Sequence, residues 1–192
     1  MNLINKSDIK LITKLIKCGK ILAIPTDTIY GFSCLATDNK AVDKLCKLKN
    51  RDDSKQFILL VSRNFDLTQL ISVSDSILNF IYNHTPNPVT MIVNRNPNFK
   101  LADNFTLPTV AIRIPDDDFL QDILQDVGLI ISTSCNIQGE PAINDYNQIL
   151  QEFPTIDAVV KCDSIKSSQP STIIDLTDGM IKILRQGSYK IK

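Results

Sequence analysis

Apolar positions along this chain follow two periods, and the segments they mark alternate. Between residues 6 and 17, Ile9, Ile12, Leu15 and Ile16 fall three and four apart, which predicts a helix with Gly19 placed to cap its end. The run 21–24 is short, branched and apolar, and reads as a buried strand that Pro25 ends because it cannot donate to a ladder. Asp38 or Asn39 can cap a second helix with the stripe Ala41, Val42, Leu45 and Leu48. Residues 57–61 are continuously apolar, as in a strand covered on both faces. Helical segments follow at 67–71 and 77–81, then strands at 88–93 and 109–114, the second stopped by Pro115. Asp116, Asp117 and Asp118 open a helix that buries Phe119, Ile123 and Leu124, where carboxylates suit the positive end of the dipole. A strand at 129–131, a short helix at 146–153, and strands at 158–160, 172–174 and 181–184 complete the pattern. Helices and strands interleave early and strands dominate late, so the expectation is one α/β domain over residues 1–192: a mixed sheet covered by helices.

The stretch 21–31 organises the rest. Its strand is followed at once by Thr26, Asp27, Thr28 and Tyr30, and Gly31 lets the backbone turn or approach a ligand closely. Polar side chains beyond the carboxyl end of a buried strand are where open α/β sheets hold ligands. A Thr/Asp turn that satisfies its own backbone groups would read the same way.

Composition narrows the classes. At 192 residues with 43% hydrophobic and 22% charged content, the chain can bury a sizeable core. The 21 basic and 21 acidic residues cancel, so no global field gathers nucleic acid or anionic lipid, and an anion site must be a local concentration of cations. No apolar run approaches the ~20 residues of a membrane span, and the first ten residues lack the pattern of a secretory signal. The five cysteines contain no C-x-x-C pair, which points to free thiols in a reducing cytoplasm. His84 is the single histidine and sits in an Asn-His-Thr-Pro turn, read as surface, so no site rests on two imidazoles.

Neither phosphate loop motif nor nucleophile elbow is present, so a phosphate site must use side-chain cations and hydroxyls. Lys47, Lys49, Arg51 and Lys55 crowd the end of the second helix. They read either as an anion patch or as a solvated C-terminal turn diluted by Asp52 and Asp53. Arg113 lies inside an apolar strand, where a cation needs a partner, a ligand or a water-facing side. Ser132, Thr133, Ser134 and Asn136 follow the strand at 129–131, Ser171 and Thr172 open another, and Arg185 precedes Gly187. Strand ends carrying hydroxyls, amides and arginines build a pocket for a polar, anionic ligand.

These blocks, in order, resemble the YrdC/TsaC family of threonylcarbamoyl-AMP synthases. The matching pieces are Pro25-Thr26-Asp27-Thr28-Ile29-Tyr30-Gly31, Leu48-Lys49-Asn50-Arg51, Asn87-Pro88-Val89-Thr90 and Val110-Ala111-Ile112-Arg113. After them come Ser132-Thr133-Ser134-Cys135-Asn136, Pro170-Ser171-Thr172 and Leu184-Arg185-Gln186-Gly187. The resemblance implies a twisted mixed sheet with a concave, cation-lined cleft. It also implies a nucleotidyltransferase that makes threonylcarbamoyl-adenylate and diphosphate from ATP, L-threonine and bicarbonate or CO2, the first step toward t6A in tRNA. By match, Thr28, Arg113, Ser134 and Ser171 would hold threonine. Arg51, Lys55, Thr109, Asn136, Asn144 and Arg185 would hold ATP, with Lys49 and Arg51 as the catalytic cations. Mg2+ would accompany ATP without an assigned protein ligand, and the product would pass to transfer machinery of the TsaD/TsaB/TsaE type. Three positions depart from the family pattern: Cys135 for Ala, Asn87 for Gly, and Asp52 for Pro. Two other readings are a tRNA-binding module, which zero net charge disfavours, and the carbamoyl-handling domain of hydrogenase-maturation proteins, whose zinc-type cysteine spacing is absent.

Overall fold

The computed structural model describes residues 2–50, 57–163 and 169–191. In chain order the elements are β1 (Asn2–Asn5), α1 (Ile9–Lys17), β2 (Leu22–Ile24), β3 (Gly31–Leu35), α2 (Asn39–Lys49) and β4 (Ile58–Leu60). There follow α3 (Leu67–Leu70), α4 (Asp75–Asn83), β5 (Val89–Asn94), β6 (Thr109–Arg113), α5 (Asp118–Val127) and β7 (Ile130–Ser134). The last third holds α6 (Tyr146–Glu152), β8 (Ala158–Lys161), β9 (Thr172–Asp175) and β10 (Lys182–Arg185). All ten strands form one sheet in the order β1-β8-β2-β3-β7-β4-β6-β5-β9-β10. Parallel pairs (β1/β8, β2/β8, β4/β6, β5/β9) mix with antiparallel ones (β2/β3, β3/β7, β4/β7, β5/β6, β9/β10), as the interleaved pattern predicts.

Every described helix but α1 starts where a short acceptor satisfies an open N–H group. Asp38, Asp117 and Asp145 accept from the amides of Ala41, Leu120 and Gln148 respectively, which fixes where α2, α5 and α6 begin. Asn50 then closes α2 in the left-handed conformation with φ 47°, a region Asn tolerates.

The two faces of the sheet are packed unequally. On one, residues from α2, α3, α4 and α6 cover alternate strand positions such as Ala23, Phe32, Leu59, Met91, Val110, Ile112, Ile131, Val159 and Ile174. On the other, α1 and α5 cover the side from β1 as far as Leu60 of β4. Ile12, Ile16, Leu120 and Ile123 sit over Ile4, Leu22, Ile24, Ile130, Ala158 and Val160 there. The rest of that face, the far ends of β7 and β4 and the strands β6, β5, β9 and β10, carries no helix among these packed residues.

Four expectations need correction. The polar N-terminus contributes β1, whose Ile4 is buried while Leu3 stays exposed; parallel pairing to β8 supplies an order that local composition does not signal. Gly31 opens β3 and does not turn; it has no positive φ, and its requirement is space, because an added Cβ would stand 2.3 Å from Ser132 Oγ. Ser132, Thr133 and Ser134 belong to β7 itself, so the strand runs on beyond its apolar half. His84 is half-buried, tilted against Phe80, with Nδ1 2.9 Å from the Tyr189 hydroxyl.

Candidate active site

The uncovered half-face holds a cavity of about 440 Å³. Its floor is the strand side chains Ile58, Ile92, Ala111 and Ile173, which share a face because their positions are paired across β4, β6, β5 and β9. The same alternation brings Ser132, Ser134, Thr90 and Arg113 to the wall, and the turn after β2 adds Thr26 and Thr28. Ser171 and Arg185 close the side toward β10.

Arg113 is buried, not turned to water. One terminal nitrogen donates to Thr28 Oγ1 at 2.9 Å and the other to Asp27 Oδ1 at 2.5 Å. The two charged side chains are only 6% and 5% exposed. Burial pulls the Arg113 pKa below its usual value while Asp27 opposes that pull. Thr26 Oγ1 accepts from the Thr28 amide and donates to the Ile29 carbonyl, so this turn does satisfy its own backbone while presenting Thr28 to the cavity.

Next to Arg113, across the β5/β6 pairing, Thr90 Oγ1 lies 2.8 Å from Ser171 Oγ, and the Ser171 carbonyl accepts from Arg185 Nε at 3.1 Å and from a terminal nitrogen at 2.8 Å. Arg185 sits on an exposed strand, yet burial of its head and the nearby Arg113 both lower its pKa. Gly187 makes this wall possible, since a Cβ there would lie 2.3 Å from the Pro170 carbonyl oxygen and 2.5 Å from the Thr172 nitrogen.

Lys49 reaches the site from behind. It is 3% exposed, and its ammonium donates to the Ser134 carbonyl (2.5 Å), the Asn136 carbonyl (2.9 Å) and Asn136 Oδ1 (2.8 Å). Ser134 Oγ donates to the same Asn136 Oδ1 at 2.6 Å. Lys49 therefore pins the turn that carries Ser134, while Lys47 is the solvated member of the patch. Arg51, Lys55 and Asp52 lie outside the described residues. Asn144 uses Oδ1 to accept from the Tyr30 amide, and neither it nor Asn136 is on the cavity wall. Thr109 begins β6 on the same face as Ala111 and Arg113, just beyond the wall.

Cys135 is fully buried beside this turn, and burial pushes its thiol well above the ordinary value, so it serves packing. Asn87 does not use a positive φ; its side-chain amide donates to the His84 carbonyl at 3.0 Å. Sequence reasoning quoted Asp27 and Thr90 but gave them no role. The signal for Asp27 was available: a cation inside an apolar strand needs a counter-ion, and the turn after β2 offers one carboxylate.

Arginines, hydroxyls and an apolar floor on an uncovered half of a mixed sheet define a protein that binds a small anionic or zwitterionic ligand. A family model described as "Telomere recombination" (Sua5/YciO/YrdC) matches residues 14–187, and the chain belongs to that family. A Methanocaldococcus jannaschii protein, provisionally named threonylcarbamoyl-AMP synthase, is 30% identical over 188 residues, 97% of this chain and 89% of its own length. The human threonylcarbamoyl-AMP synthase is 29% identical over 90% of this chain and 64% of itself. In fold, the chain resembles P. abyssi Sua5 solved with L-threonine (TM-score 0.88, 24% identity), covering 97% of this chain and 58% of that one. E. coli YciO has a TM-score of 0.85 at 22% identity, over 98% and 93%. The chain thus spans under two thirds of the human and P. abyssi proteins.

Proposed function

We propose that the protein is a threonylcarbamoyl-AMP synthase, a nucleotidyltransferase using L-threonine, bicarbonate or CO2, and ATP. The named relatives at 29–30% identity support the reading. The observation that carries it is the convergence of two arginine–hydroxyl groups, Arg113 with Thr28 and Arg185 with Ser171, on one cavity.

The chemistry asks for two charged anchors. Threonine's amine loses a proton and its nitrogen bonds to the carbon of CO2, giving a carbamate. A carbamate oxygen then attacks the α-phosphorus, and the bond to the diphosphate leaving group breaks. Both partners of the second step are anions, so cations must hold them in line and favour charge growing on the phosphoryl oxygens. Arg113 takes the threonine carboxylate, with Thr28, Ser134 and Ser171 fixing its polar groups. Arg185 takes the nucleotide, assisted by Arg51 and Lys55; Lys49 holds the Ser134–Asn136 turn, with Asn136, Asn144 and Thr109 completing the rim. ATP would enter as its Mg2+ complex, the metal held by phosphate oxygens and water with no protein ligand assigned. The product passes to a transfer machinery that places it on tRNA, in the cytoplasm. Among the described residues no helix is long and apolar enough to cross a membrane.

The test is diphosphate release from ATP, Mg2+ and bicarbonate with and without L-threonine. Threonine-dependent release is expected; threonine-independent release, or tRNA binding without turnover, overturns the reading.

A further inference from the structure

Asp27 has no part in the reaction as written, yet its placement is costly. Its Oδ1 accepts from Arg113, and its Oδ2 and Arg113 Nε are both buried without a hydrogen-bond partner among the described residues. Arg113 lines the cavity and Asp27 lies behind it, away from the wall. A guanidinium meant only to attract an anion would show the cavity a stronger positive potential without a buried carboxylate at 2.5 Å, although that carboxylate helps it keep its proton. With Asp27 present, the pair is neutral as a unit. A bare carboxylate docking on Arg113 leaves two anions on one cation in a water-poor place. An α-amino acid brings its own ammonium, and the site stays balanced. Arg185, the other described cation on the wall, is on an exposed strand with its half-buried head tied to the Ser171 carbonyl, so its donors are partly engaged.

We propose that Asp27 is a specificity-determining residue of the threonine subsite: by cancelling the charge of Arg113 it admits zwitterionic α-amino acids and rejects the matching hydroxy acid. The inference rests on the threonine reading above. Asp27 acts through Arg113, as a positioning and charge-setting residue.

The test titrates wild type and Asp27→Asn calorimetrically with L-threonine and with (3R)-3-hydroxybutyrate, which is threonine without its amine, both in the presence of a non-hydrolysable ATP analogue. Wild type is expected to prefer threonine at least tenfold. Asp27→Asn keeps the shape and loses the charge, and is expected to shrink that preference at least fivefold. A purely structural residue would weaken both ligands alike. Asp27→Glu, which keeps the charge, is expected to retain the preference even where both affinities fall. Wild type binding both ligands equally overturns the inference whether or not either variant folds, and so does an unchanged ratio in a folded Asp27→Asn. Wild type binding neither ligand overturns the threonine reading and this inference with it; binding with an unchanged ratio overturns the inference alone.

Discussion

One face of the sheet is built in two ways. Toward β1 its alternate positions are Leu22, Ile24, Ile130, Ala158 and Val160, roofed by α1 and α5. Toward β10 the same alternation yields Ser132, Ser134, Arg113 and Thr90, and no helix of that core lies above them. β7 crosses the boundary within five residues, apolar at Ile130 and hydroxylated from Ser132. The lesson is that a strand can contribute core at one end and site at the other without changing its register. What changes is whether a helix supplies an apolar lid. The buried half gains from area removed from water, and the open half spends some of that gain on a buried ion pair and uncapped hydroxyls.

That contrast predicts separable failures. The largest effect belongs to the roofed half: Ile16→Ala, at a fully buried position, should cost about 2–5 kcal/mol of stability in denaturant unfolding. Turnover per folded molecule should stay near wild type; a large loss of specific activity would mean the halves are not separable. Next comes Arg113→Lys on the open half. It keeps a cation beside Asp27 but loses the planar fork, and should raise the threonine KM roughly tenfold to hundredfold, a loss of about 1.5–3 kcal/mol, with the ATP KM nearly unchanged. Equal effects on both substrates would erase the assignment of threonine to Arg113 and of the nucleotide to Arg185. A smaller effect is expected at Gly187→Ala, where the new Cβ meets Pro170 and Thr172 backbone and must push the strand bearing Arg185 away from Ser171. The ATP KM should rise several-fold. Gly31→Ala should be milder, because it meets Ser132 Oγ, which can rotate.

The roofed half was the more legible in sequence. The 3.6 period of Ile9, Ile12 and Ile16 and the acidic cap at Asp117 placed its helices α1 and α5 to within a few residues, as Asp38 did for α2 on the other face. β1 and β3 escaped because their order comes from partners distant in sequence, β8 and β7, and not from local alternation. Thr28, Arg113, Ser134, Ser171 and Arg185 meet in one cavity, as the blocks implied. The patch at the end of α2 divided differently than composition suggests. Lys49 turned inward because the Ser134–Asn136 turn offers it three oxygens, and no local rule reveals such a tertiary acceptor. Asp27 and Arg113 are 86 positions apart, and the turn after β2 meets β6 through the pairings β2/β3, β3/β7, β4/β7 and β4/β6.

The smallest expected effect lies at the roofed end, where a charge cluster ties β2 and β8 together at the surface. Asp157 accepts from the Ile21 amide at 2.9 Å and pairs with Lys44 at 2.6 Å and Lys20 at 3.3 Å. Partial burial pushes its carboxyl up, but Lys44, the Ile21 amide and Lys20 together hold it below the usual carboxylate range. A depressed folded-state pKa stabilises the fold above the unfolded value of about 3.9, and that stability is lost as the pH falls through the folded value. Because both lysines are about half exposed, the contribution should be on the order of 1 kcal/mol or less. Denaturant midpoints measured from pH 5 down to pH 3 should therefore fall more steeply for wild type than for Asp157→Asn. The threonine and ATP KM values of that variant should match wild type at pH 7. A shift in either KM would show that the roofed end communicates with the cavity, and the division of the face into core and site would then fail.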